Sequence, residues 1–221
     1  MKNTLYYGDN LEVMRDHIAD ESVDLIYLDP PFNSARHYNV LFKQAKKDEN
    51  QAQITAFTDT WEWSRSRYEE FRGDSRNAPL FDMMEALHKI LGNSPMMAYL
   101  LMMAPRLLEL RRVLKPTGSL YLHCDPVASH YLKIILDVIF GPTRFINDIT
   151  WKRTSSHNDA RRKFADIGDT LLVYAKSQDY YFQCQYRPHD LHYVDQFYRF
   201  TDDAGRRYRV DNLSSPNPRP N

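Results

Sequence analysis

Glycine is scarce in this chain, with seven residues in 221, and no two of them are separated by a single residue. The paired-glycine turn that lets a backbone approach a nucleotide closely is therefore missing. Cysteine is scarcer: Cys124 and Cys184 lie far apart, which excludes a disulfide framework and points to a reducing compartment. No run of 18 apolar residues occurs, so no membrane-spanning helix is expected. Met1-Lys2-Asn3-Thr4 leads into strand-like residues and carries no secretory signal, so the expected location is cytoplasmic. Net charge is absent too, with 29 basic against 29 acidic residues, which argues against a general nucleic-acid binder. His189-Asp190-Leu191-His192 has no further ligands nearby, so no metal site is expected, and no Ser/His/Asp or Cys/His arrangement is supported.

What is present starts with Val23-Asp24-Leu25-Ile26-Tyr27-Leu28, a β-branched and aromatic run that reads as a buried strand. Asp29-Pro30-Pro31-Phe32 stops it. A carboxylate is thereby held at the carboxyl end of a strand, where open α/β sheets place their ligands. The combination suits the exocyclic amino group of a flat base. Asp29 and the Pro30 carbonyl each offer an acceptor to one amino hydrogen, freeing the nitrogen lone pair. Phe32 is placed to stack on the ring face and hold it in line with a methyl donor. The plain alternative is a strand ending in a Pro-Pro turn beside a core phenylalanine.

A pass along the chain gives an α/β order. Leu5-Tyr6-Tyr7 reads as a short strand, Leu11 to His17 as a helical turn or two, then the strand at 23–28. Residues 34–80 are polar with little periodicity and are expected to form a mobile insertion, anchored in part by Trp61 and Trp63. Residues 81–92 and 96–114 read as helices, the second with a broad apolar face closed by Pro116 and Gly118. Ser119 to Cys124 reads as a strand, Tyr131 to Phe140 as a helix, and 146–151 and 170–174 as two final strands. Alternation of this kind implies a largely parallel sheet covered on both sides. Trp151-Lys152-Arg153 and Arg161-Arg162-Lys163 are candidate phosphate contacts.

Tyr7-Gly8-Asp9-Asn10-Leu11, Ser22 to Asn33, Lys115 to Asp125, Phe145 to Arg153 and Asp169 to Ser177 together resemble the site-specific DNA amino-methyltransferases. The resemblance is to the permuted branch in which the catalytic motif comes first, and the Asp form of that motif usually accompanies adenine N6 methylation. It implies a partial Rossmann-like fold dependent on S-adenosylmethionine (AdoMet), a mostly parallel sheet with helices on both faces, plus a DNA-recognition region. Residues 1–177 would be the catalytic core and 178–221 the start of the recognition region. Asp29, Pro30, Pro31 and Phe32 would be catalytic, with Asp9 and Asn10 contacting the cofactor's adenine end; the plain role for Asp9 is a helix cap. The family's Phe-x-Gly-x-Gly turn is absent here, and the branch carries it nearer the carboxyl end, so the chain is expected to be an amino-terminal fragment.

The implied reaction is methylation of a flipped-out adenine within a restriction-modification system. Double-stranded DNA is the implied partner, with a second copy of the chain and a restriction endonuclease subunit as further candidates. A cytosine N4-methyltransferase, an RNA- or protein-modifying relative, and an inactive DNA-binding subunit without its own cofactor site stay open. The tail favours DNA. Residues 1–150 carry 17 basic against 20 acidic side chains, residues 151–221 carry 12 against 9, and twelve aromatics accompany the basic surplus. Arg199, Arg206, Arg207 and Arg209 stand among those aromatics as candidate DNA contacts, and Lys152 and Arg153 precede them. His123 ends a strand and can approach the Asp29 site, although nothing in the sequence assigns it a role.

Overall fold

Apolar residues on nearly every side of one segment make it a buried helix rather than an amphipathic one. That segment is α4, Pro95–Val113, whose Tyr99, Leu100, Met103 and Leu107 are fully or almost fully buried. Ser94 caps it by accepting from Met97 N at 3.2 Å, and Pro95 occupies the first turn, where its missing N–H costs nothing. Each large side chain removed from water there contributes about 1.5–3 kcal/mol. The computed structural model describes residues 3–31, 37–39, 55–58, 63–73, 78–153, 164 and 167–211.

Around α4 the chain runs α1 (Asn10–His17), β1 (Val23–Leu28), β2 (His37–Asn39), β3 (Thr55–Thr58), α2 (Arg65–Gly73) and α3 (Ala78–Leu91). After α4 come β4 (Leu114–Cys124), α5 (Ala128–Phe140), β5 (Phe145–Lys152) and β6 (Gly168–Ala175). The main sheet has the order β1-β4-β6-β5. β1 and β4 are parallel, with Ile26 beside Leu120 and Leu28 beside Leu122, while β6 is antiparallel to both β4 and β5. Three strands therefore point one way and β6 alone is reversed. The carboxyl ends of β1, β4 and β5 and the start of β6 share one edge.

Side chains alternate between the two faces of such a sheet. Ile26, Leu120, Leu122, Cys124, Leu172 and Tyr174 face the core formed with α3, α4 and α5. The other face carries Leu25 and Tyr27, 57% and 56% exposed, with Ile149 and Trp151 also exposed. The second helical layer expected from the sequence is not among the described residues.

Leu5-Tyr6-Tyr7 is not a strand: Leu5 is 96% and Tyr7 85% exposed, and no neighbouring strand pairs with them. Tyr180 to Tyr186 is likewise irregular. Strand propensity needs a ladder partner, and among the described residues neither segment pairs with a strand, although Tyr181 N donates to Thr117 O at 2.9 Å. The stretch 34–80 holds more order than its polarity suggests, since β2 pairs with β3 and α2 carries an Arg65–Glu69 ion pair one turn apart. Trp63 stacks on His88 with ring centroids 4.5 Å apart. Trp61, Phe32 and the Arg161-Arg162-Lys163 run lie outside the described residues.

The chain divides into two compact units, residues 1–181 and 182–221. In the second, Asp190 caps α6 (Leu191–Phe197) by accepting from His192 N and Tyr193 N. β7 (Phe200–Thr201) pairs with β8 (Arg207–Tyr208) through a turn in which Gly205 adopts φ 77. The Asp202 carboxylate accepts from the backbone N–H of Arg206 and Ala204 and from the Arg206 guanidinium. Those bonds, the Arg206 backbone foremost, hold its carboxyl below the usual range.

Candidate active site

Asp29 follows β1 directly, and the parallel register puts it level with His123 at the end of β4. The prolines behind it end the ladder, and Pro30 is buried, so the turn is anchored while the Asp29 side chain stays 59% exposed. A reactive carboxylate is thus presented to solvent from a fixed backbone. Phe32, its expected stacking neighbour, is outside the described residues.

A second carboxylate arrives from the antiparallel strand. Cys124 pairs with Thr170, so Asp169 at the start of β6 lies one step beyond, at the same sheet edge. It is only 3% exposed. His123 bridges the two acids: Nε2 lies 3.3 Å from Asp169 Oδ2, and Nδ1 lies 3.6 Å from Asp29 Oδ1 and 3.4 Å from the Tyr27 hydroxyl. Arg153, just past β5, places Nη1 3.1 Å from Asp169 Oδ1, an ion pair out of line for a hydrogen bond. The four strands of the sheet therefore deliver Asp29, His123, Asp169 and Arg153 to one cluster of alternating charge. Cys124, on the opposite face of β4, is buried, and burial with the nearby Asp125 and Asp169 charges pushes its thiol up.

Asp169 and Tyr27 carried no role in the sequence reading. The signal for Asp169 was available: an acidic residue opens the strand Gly168-Asp169-Thr170-Leu171-Leu172 at its amino end, where Asp29 follows β1 at its carboxyl end. What the sequence does not contain is the pairing that brings them together.

Asp9 and Asn10 are built into a different contact. Asp9 is the N-cap of α1, accepting from Leu11 N at 2.8 Å, and both its oxygens take the Arg106 Nη2 at 2.7 Å. Asn10 Oδ1 accepts from Arg106 Nε at 2.7 Å. These bonds tie the start of α1 to α4. A carboxylate has about four lone-pair sites, and the Asp9 side chain is 46% exposed, so the described residues leave one acceptor site on Oδ2 unfilled. Among the described residues no group of three or more His, Cys, Asp or Glu could hold a metal ion, and no helix is long and apolar enough to cross a membrane.

The candidate DNA contacts fall in both units. Lys152 and Arg153 lie at the Asp29 edge of the main sheet. In the second unit Arg207 pairs with Asp195 at 2.6 Å and donates to Tyr198 O, Arg209 pairs with Asp211, and Arg199 Nε donates to Gln196 O. Arg206 is 82% exposed at its side chain and bound to Asp202 through Nε, which leaves its outer nitrogens facing water.

Residues 23–212 match the model of the DNA methylase family that covers N6 and N4 methyltransferases. The Mod subunit of the type III restriction-modification enzyme StyLTI from Salmonella typhimurium is 30% identical over 178 residues, covering 79% of this chain and 24% of that protein. The type II methyltransferase M.EcaI from Enterobacter cloacae is 36% identical over 109 residues, covering 49% of this chain and 24% of that protein. Among solved structures, the cytosine-N4-specific PvuII DNA methyltransferase aligns over 79% of this chain and 49% of its own, at 15% identity and a TM-score of 0.44. The chain spans about a quarter of the length of these two curated relatives. With the family model matching most of its length, the chain belongs to the DNA methylase family.

Proposed function

We propose that this chain carries the base-modifying site of a DNA adenine N6-methyltransferase acting within a restriction-modification system. The observation that carries the reading is Asp29, held by the buried Pro30 at the open end of β1 with its carboxylate facing solvent. A flipped adenine would donate one amino hydrogen to Asp29 and the other to the Pro30 carbonyl, with its ring against Phe32. Pro31 keeps that backbone rigid. Bound AdoMet would supply the electrophilic methyl group. Asp9 has one acceptor free for the cofactor's adenine end, and Asn10 stands beside it. Lys152, Arg153 and the exposed Arg206 suit phosphate contacts, and Arg199, Arg207 and Arg209 brace the second unit, which presents Arg206. Double-stranded DNA is the substrate in this reading, with a restriction endonuclease subunit and a second copy of the chain as its proposed partners.

The test is nucleoside analysis of DNA incubated with the intact protein and labelled AdoMet. Label in N6-methyladenine supports the reading; label in N4-methylcytosine overturns the adenine assignment, and DNA binding without label points to an inactive subunit. Asp29→Ala should lower turnover by about 10³-fold while DNA affinity stays near that of the parent. Retained turnover in that variant removes Asp29 from the chemistry.

A further inference from the structure

Base methylation leaves a proton to be disposed of, and resting on that reading the cluster behind Asp29 supplies a path. When the amino nitrogen bonds to the methyl carbon, the carbon–sulfur bond breaks and its electron pair stays on sulfur. The nitrogen then carries a positive charge and must lose one of its hydrogens as a proton, the N–H electron pair remaining on nitrogen. Asp29, the acceptor of that hydrogen, receives the proton. A protonated Asp29 is a poor acceptor for the next amino group, so it must be reset.

We propose that His123 is the positioning residue of Asp29 and the first acceptor of the proton that Asp29 collects. Asp169, as a carboxylate, is an acceptor only, so its 3.3 Å contact places a hydrogen on His123 Nε2. The neutral ring then has its lone pair on Nδ1, the nitrogen that faces Asp29 Oδ1 at 3.6 Å. The Tyr27 hydroxyl lies 3.4 Å from the same nitrogen and steadies the ring; its hydrogen turns away when Nδ1 takes the proton, because that nitrogen has a single lone pair. Transfer from Asp29 to Nδ1 yields an imidazolium between two carboxylates, with Arg153 balancing the buried Asp169. The groups that face His123 include Tyr27 and Asp29 from β1 and Asp169 from β6, and Arg153 at the end of β5 pairs with Asp169 behind it. From the exposed Asp29 side the proton leaves to water. This is the order of parts in a hydrolase triad, used here to remove a proton from an acid rather than from a hydroxyl.

Two measurements on the intact protein decide the matter. Nitrogen-15 NMR of histidine-labelled protein at pH 8, without cofactor or DNA, should show His123 protonated at Nε2 and bare at Nδ1. Asp169→Asn, whose amide can donate to Nε2, should move the hydrogen to Nδ1. An Nδ1–H tautomer in the parent overturns the proposal. Single-turnover methylation should rise with pH along one limb, and His123→Asn should remove that limb, slow transfer by about 100-fold and leave the KM for DNA unchanged. Asp169→Asn should show the same loss, so the result does not hang on one variant folding. A flat profile in the parent, or a parent-like rate and limb in His123→Asn while Asp29→Ala is dead, overturns the relay and leaves the methyltransferase reading standing. If the parent labels no DNA, both fall together.

Discussion

Cys124 and Cys184 bear the same thiol in opposite surroundings, one buried against α5 and the other exposed in the second unit. Burial pushes the Cys124 thiol up, so little thiolate forms there and access is closed as well. Iodoacetamide at pH 8 should label Cys184 alone in the native protein and both residues after denaturation, read by peptide mass. Native labelling of Cys124 would show that β4 and α5 separate readily. Tyr174 gives a sharper prediction. It is fully buried and donates to Asp137 Oδ1 at 2.7 Å. Burial first, and the Asp137 contacts second, push its hydroxyl up from 10.0. The folded state therefore keeps a proton that the unfolded chain releases, so the contribution is whole below about pH 10 and is lost as pH rises beyond it. Tyr174→Phe should cost about 1 kcal/mol at pH 8 and make the decline in Tm above pH 10 shallower than in the parent. Equal slopes would show that the hydroxyl adds no alkaline sensitivity.

At the scale of elements, the joint between β1 and β4 sets where Asp29 stands. β4 pairs with Val23 at Leu114 and rejoins β1 only at Ser119, opposite Leu25, so Lys115 to Gly118 bulge out of the ladder. A Cβ at Gly118 would sit 2.9 Å from Asp24 O and 2.7 Å from Leu114 Cδ1. Gly118→Ala should therefore destabilise the fold by about 1–3 kcal/mol and, by pushing β1 away, weaken the proposed methylation beyond the loss of folded protein. A Tm within a degree of the parent would show that the bulge yields freely. The sequence signals this element well, since Lys115-Pro116-Thr117-Gly118 marks a turn before an apolar run. α3, α4 and α5 were legible in the same way, from apolar spacing bounded by Gly92, Ser94 and Gly141. Leu5 to Tyr7 misled because aromatic propensity says nothing about whether a partner strand exists. The site divides along the same line. Asp29 was legible because its chemistry sits in four consecutive residues, whereas Asp169 meets His123 across an antiparallel pairing between residues 46 apart in the chain. The direction of β6 makes that meeting, and nothing local in the sequence states it.

At the scale of the whole molecule, a net charge of zero hides the uneven distribution on which the proposed DNA contact would depend. Part of the surplus of basic residues after position 150 is paired within the chain, since Arg207, Arg209 and Arg153 each face a carboxylate. An arginine that braces its own unit is a poor choice for testing a DNA contact, since its removal disturbs the unit that would make the contact. Arg207, bound to Asp195, Tyr198 O and Val194 O, is of that kind. Arg206 is not: only its Nε is held, by Asp202, and the turn keeps its backbone bonds to Asp202 whatever the side chain. If Arg206 touches phosphate, Arg206→Ala should weaken binding by a similar factor on every sequence and reduce the slope of log K against log salt by about 0.9. Specificity should not change, because a phosphate contact carries no base information. A slope equal to the parent's would take Arg206 out of the interface, and a loss confined to one sequence would make it a base-reading residue instead.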